Sequence, residues 1–131
     1  MLKTELLFIA VFGVVFVIGQ SFIDVDDDDT RIVGGEAVVN RSYFPFQVSV
    51  RNASRNRHFC GGTIIAERVV LCAAHCFTNR DTSPGAIAVV AGDLYIFEET
   101  NDTVVRYNKN VIVHEQYNRT SNENDISLII F

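Results

Sequence analysis

Tryptophan is absent from these 131 residues, methionine occurs once, proline twice and cysteine three times. Three cysteines admit one internal bridge at most, in any of three pairings, and no Cys-x-x-Cys pair is present. Basic residues are in deficit, with 11 Lys and Arg against 16 Asp and Glu and a net charge of −5. No basic face is evident to neutralise phosphates, which sets aside a nucleic-acid partner. No apolar run is long enough for a membrane-spanning helix of about 20 residues. Internal repeats are missing too, and the only low-complexity stretch is a short run of aspartates. With 48% hydrophobic and 21% charged residues, the chain is too apolar for a disordered tail and has room for one domain at most.

The N-terminus is organised differently from the rest. Lys3 lies in a short charged head, Leu6 to Ile18 carries no charge, and Gly19-Gln20-Ser21 forms a small polar break. This order predicts a secretory signal peptide over residues 1–19, and therefore an exported, extracellular protein with no membrane attachment once the signal is removed. A membrane anchor is the weaker reading, because the run falls short even with Phe22 and Ile23 added across Gln20. In an exported chain, Asn40-Arg-Ser, Asn52-Ala-Ser, Asn101-Asp-Thr and Asn118-Arg-Thr are candidate N-glycosylation sites on surface loops.

Residues 20–31 contain Asp24 and the run Asp26 to Asp29, and end in Thr30-Arg31. Adjacent carboxylates repel and keep a segment extended, which offers Arg31 to a protease that cuts after arginine. Ile32-Val33-Gly34-Gly35 then follows, apolar first and flexible after, as a new N-terminus entering a protein interior requires. The segment reads as an acidic propeptide with cleavage between Arg31 and Ile32. The bland alternative is a solvated linker.

Arg31-Ile-Val-Gly-Gly35 resembles the activation site of the trypsin-like (chymotrypsin, S1) serine proteases. Three further motifs join it in order: Phe59-Cys-Gly-Gly-Thr-Ile-Ile65, Val69-Val-Leu-Cys-Ala-Ala-His-Cys76, and Asn124-Asp-Ile-Ser-Leu-Ile129. They match that family's Cys-Gly-Gly strand, its histidine motif and its aspartate motif, so the resemblance covers residues 31–131. It implies a serine endopeptidase made as a zymogen. His75 would be the general base and Asp125 the carboxylate that sets the imidazole's tautomer and stabilises the imidazolium. His58 and His114 lie outside any such motif, and Asp93 and Asp102, in a polar loop, read as solvated. Implied partners are protein or peptide substrates, an activating protease that cuts after Arg31, and protein protease inhibitors. No cofactor and no metal are implied.

The resemblance also pairs Cys60 with Cys76, closing a loop of roughly 15 residues worth ~3 kcal/mol in the chain-entropy model. Cys72 stands where the family usually has Thr, and is then left over as a small buried apolar residue or a mispairing liability. A zinc site drawn from His58, Cys60, Cys72, His75 and Cys76 is the bland competitor, disfavoured by an oxidising compartment. A calcium loop through Asp93, Glu98, Glu99 and Asp102 fits its spacing poorly, and surface acids are the preferred reading.

Short β-rich runs recur at 46–50, 63–65, 69–73, 86–90, 103–106, 111–113 and 126–131, separated by polar breaks such as 51–57 and 78–85. Short strands at close spacing predict an all-β sandwich or barrel. The resemblance selects the barrel, as the first of the two β-barrels of the trypsin-like fold, with residues 32–131 an N-terminal, incomplete part of the peptidase domain. The family's nucleophile motif Gly-Asp-Ser-Gly-Gly is absent, and no serine here has its context; Ser127 follows the aspartate motif but falls in a strand interior. The expectation is therefore a truncated piece of a secreted zymogen, inactive as it stands. The alternative is a non-catalytic secreted homologue acting as a binding or adaptor module.

Overall fold

Valine, isoleucine and leucine are enriched in the β-rich runs, residue types that favour strands, and successive side chains of a pleated strand face opposite sides. The computed structural model describes residues 35–131 and forms seven strands from these runs. They are β1 (Gln47–Asn52), β2 (Arg57–Ala66), β3 (Val69–Cys72), β4 (Ile87–Ala91), β5 (Val104–Tyr107), β6 (Asn110–Val113) and β7 (Ser127–Ile130). Two short 3₁₀ turns, Arg41–Tyr43 and Ala74–Phe77, complete the regular structure. The expected signal peptide (1–19), the propeptide (20–31) and the Arg31–Ile32 junction lie outside the described residues.

All pairings are antiparallel, in the order β5-β4-β1-β2-β3-β7-β6. Flat, seven strands would hold β5 and β6 at edges about 29 Å apart. Yet only Asn108 and Lys109 separate them, and Tyr107 to Asn110 can span about 10 Å at most. The sheet must therefore curl until its edges meet. At that seam the Asn108 N–H donates to Ile87 O (3.0 Å) in β4, while the next N–H, of Lys109, donates to Ile130 O (2.7 Å) in β7. The buried Asn108 side chain completes the closure. Its Oδ1 accepts from Ile87 N, and its Nδ2 donates to Thr82 O and Ser83 O. The expected all-β barrel is what forms.

Register shifts help the curl. The β1–β2 ladder slips between Val50 and Arg51, leaving Phe59 as the extra residue, and the β2–β3 ladder slips at Ile65. Such bulges sharpen local twist. Inside the curl lie Val48 and Val50 of β1, Val70 and Cys72 of β3, Ile87 and Val89 of β4, and Ile129 of β7, closed at one end by Cys76 and Phe77.

Two expectations need correction. The break expected at 51–57 narrows to the hairpin turn 53–56, because β1 continues through Asn52 and β2, a ten-residue strand, begins at Arg57. Ladder hydrogen bonds come from the backbone, so polar side chains on the outer face do not interrupt them. Arg51 is itself buried, held by Ser49 Oγ (3.0 Å), Asn56 Oδ1 (3.1 Å) and Ile96 O (2.6 Å), beneath the loop that follows β4. Asp93, read as solvated, is half-buried in that loop. Its Oδ1 accepts Thr103 Oγ1 at 2.6 Å and its Oδ2 is buried without a partner. Asp102 does stay exposed, paired with Arg41.

Candidate active site

β3 ends at Cys72, and the chain turns at Ala73 into the 3₁₀ turn that carries His75. Two restraints hold this turn against the barrel. Cys76 is bonded to Cys60 of β2 with a Cα–Cα distance of 6.2 Å. Phe77 packs edge-on against Phe59, also of β2, at 6.2 Å between ring centres. The backbone of His75 is therefore placed by a covalent bond and an aromatic contact on adjacent residues.

Asp125 comes from the far end of the chain. It precedes β7, which pairs with β3 so that Cys72 stands opposite Ser127. The buried Ser127 hydroxyl lies 3.0 Å from both Cys72 O and Ala73 O and ties the two strand ends together. Just before it, Asn124 adopts a left-handed conformation (φ 55°), a state asparagine tolerates better than most residues. Its Nδ2 donates to Gln116 O at 3.0 Å, and its carbonyl accepts Ile126 N at 2.8 Å, a tight turn centred on Asp125. Ser127 and Asn124 were not assigned these positioning roles from the sequence. The available signal was an asparagine, tolerant of positive φ, directly before a motif aspartate.

The two elements bring His75 and Asp125 together although 50 positions separate them. Asp125 Oδ2 lies 2.7 Å from His75 Nδ1, and Oδ1 accepts the His75 main-chain N–H, also at 2.7 Å. These two N–H donors hold the Asp125 carboxyl below the ordinary carboxylate range, because they favour its charged form. An ionised Asp125 can only accept, so in the neutral imidazole Nδ1 carries the proton and Nε2, 3.6 Å from Cys76 Sγ, keeps a lone pair. The imidazole is 57% exposed and Asp125 only 24%. The geometry thus offers solvent a base whose orienting carboxylate is shielded behind it. A hollow of about 430 Å³ borders Asp125, walled by Gly61, Gly62, Cys72 and Ile126.

Cys72 is a free, buried thiol that donates to Gly61 O at 3.3 Å, and its burial pushes its pKa up. It behaves as a small core residue. Among the described residues, the one trio of metal-type donors lying together is Cys60, His75 and Cys76, and there the two sulfurs are bonded to each other. His58 Nδ1 lies 2.8 Å from Ser49 Oγ, and His114 Nδ1 accepts Gln116 N, both apart from the pair. Asn40, Asn101 and Asn118 are exposed and Asn52 is half-buried at a hairpin. The Asn40, Asn52 and Asn118 amide oxygens accept hydrogen bonds from residues two or three positions on. No helix of the described residues is long and apolar enough to cross a membrane.

Comparison with known proteins agrees with this geometry. The profile of the family described as Trypsin matches residues 32–130. Trypsin Tyr p 3.0101 of Tyrophagus putrescentiae is 42% identical over 99 residues, covering 75% of this chain and 32% of that protein. Human Trypsin-3 is 41% identical over 104 residues, covering 79% of this chain and 31% of that protein. Bovine Coagulation factor XI is 39% identical over 101 residues, covering 76% of this chain and 16% of that protein. The chain therefore spans about a third of the length of the trypsins it matches.

Proposed function

The chain belongs to the trypsin family of serine proteases, and on that footing we propose that it supplies the base and orienting acid of a secreted serine endopeptidase. His75 Nε2 takes the proton from a serine hydroxyl during attack on a peptide carbonyl and returns it to the leaving amine. Asp125 keeps the ring in the reactive tautomer and stabilises the imidazolium. The nucleophile comes from sequence other than these residues, which hold no Gly-Asp-Ser-Gly-Gly motif. The observation that carries the reading is the two-point grip of Asp125 on His75, at 2.7 Å to the ring and 2.7 Å to the main chain.

The rest of the proposal concerns production and control. Residues 1–19 direct export, residues 20–31 keep the protein a zymogen, and cleavage after Arg31 frees Ile32. N-glycans on Asn40, Asn52, Asn101 and Asn118 decorate the exported product. The substrates are proteins or peptides, and the partners are a protease that cuts after arginine and protein inhibitors of the mature enzyme.

The test is active-site labelling of the natural secreted product. It is treated with a protease that cuts after arginine and then exposed to a fluorophosphonate probe. Labelling that requires both the cleavage and His75 is the expected result. Cleavage after Arg31 with no labelling would overturn the catalytic reading in favour of a binding or adaptor module.

A further inference from the structure

β5 hydrogen-bonds to β4 along one edge, and among the described residues no strand pairs with its other edge. The Asn108 N–H donates to Ile87 O, and peptide groups alternate in direction along a strand, so those of Arg106 and Val104 also face β4. The peptide groups of Val105 and Tyr107 therefore point the other way, to solvent. Val105 O accepts the Arg106 guanidinium there, at 3.2 Å. Both faces of the strand are open as well, with Val104, Val105 and Tyr107 all exposed. The seam closes at Asn108 and Lys109 and leaves this stretch uncovered. An open, apolar strand edge is a template for a further strand.

The charges around β5 select the strand that fits. Glu98, Glu99 and Asp102 lie ahead of it, Arg106 and Lys109 lie at its far end, and all five are exposed. We infer that β5 pairs with β5 of a second copy of this chain, antiparallel about a two-fold axis at Val105. Each Val105 N–H then donates to the other copy's Val105 carbonyl, and each Tyr107 N–H to the other copy's Thr103 carbonyl. The same two-fold lays the basic end of one strand along the acidic stretch of the other, twice per dimer, whereas a parallel pairing sets like charge against like. Asp102 already pairs with Arg41, yet its side chain is 63% exposed and open to a second cation. A second copy supplies the reversed charge order by symmetry, which an unrelated strand does not.

Asn101 lies within the acidic stretch, and carbohydrate on it would hold two copies apart, so the test uses the full chain free of carbohydrate. Sedimentation equilibrium at low salt should show a reversible monomer–dimer system. Val105→Pro removes an outward N–H without touching the β4 ladder and should leave the chain monomeric. Lys109→Glu should weaken the dimer about tenfold, and the reversed pair E99K/K109E should restore it to within about threefold. Arg119→Glu makes the same charge change as Lys109→Glu away from the edge and should weaken it less than about threefold. Circular dichroism checks that each variant keeps the fold, and the charge variants decide the matter if Val105→Pro does not. A chain that stays monomeric at about 1 mM would overturn the inference. So would a dimer that Val105→Pro, folded, leaves intact, or one that the reversed charge pair fails to restore.

Discussion

The carboxylate of Asp125 is divided between two nitrogens of one residue, with Oδ1 on the main-chain N–H of His75 and Oδ2 on its ring Nδ1, each at 2.7 Å. A single acceptor would leave the imidazole free to pivot about one bond. Two acceptors on one rigid group couple the ring to the backbone that carries it, so the histidine and the turn Ala74–Phe77 are placed as one unit.

The first consequence is a tautomer preference. Asp125→Asn replaces one acceptor oxygen by an amide that can donate, which favours a lone pair on Nδ1 and a proton on Nε2. Nitrogen NMR of His75 should show the Nδ1–H form in the native chain and a shift toward the Nε2–H form in the variant. In a catalytically complete enzyme the same change should lower kcat by about 10⁴-fold.

The lowered pKa of Asp125 fixes the sign of a pH effect. Its carboxyl loses its proton more readily folded than unfolded, so its bonds to His75 stabilise the fold fully above the unfolded value of about 3.9. That stabilisation is lost as pH falls through the folded value. Thermal melts should therefore show a gap between the native chain and Asp125→Asn at pH about 5 that closes as the pH drops below about 3.9. A gap that persisted undiminished in stronger acid would contradict the role of the ionised form.

The Cys60–Cys76 bridge joins residues 16 apart in sequence and anchors the histidine turn to β2. Replacing both by alanine should lower the denaturant-derived unfolding free energy by about 3 kcal/mol. The turn loses its covalent tether as well, so the NMR signature of His75 should broaden even where the barrel remains folded.

Two glycines test the backbone independently of the site. Gly92 has φ +92°, and a Cβ there would lie 2.3 Å from Asp102 O, whereas Gly85 has φ +83° and nothing within 4 Å. Gly92→Ala should cost about 3 kcal/mol and loosen the loop that covers Arg51, and Gly85→Ala only about 1 kcal/mol. Chemical denaturation of the two variants measures the difference, which reflects the clash alone.

Most strands were legible because enrichment in aliphatic, β-branched residues between polar breaks is a local property: the runs at 69–73 and 86–90 became β3 and β4 with a residue or so of shift at their ends. The start of β2 was not legible, because Arg57 and His58 look like loop residues until a neighbouring strand takes up their backbone groups. The buried Arg51 escaped for a related reason. Its neutral acceptors Asn56 and Ile96 reach it only once the hairpin tip and the loop after β4 are folded.

The sequence by itself determined the family, the all-β class and the identities of His75 and Asp125 as motif residues, since each rests on residue types at short spacing. Tertiary structure alone decided how those residues meet. Closure of the sheet through Asn108 and Lys109, the pairing of β3 with β7 and the left-handed turn at Asn124 place a carboxylate 2.7 Å from a ring 50 residues away. It also decided that Arg55, Arg57 and Arg80 share one pocket, which a net charge of −5 conceals. The physical reason is the same in both cases: periodicity and motifs are written along the chain, whereas distance and charge density exist only between segments that folding brings together.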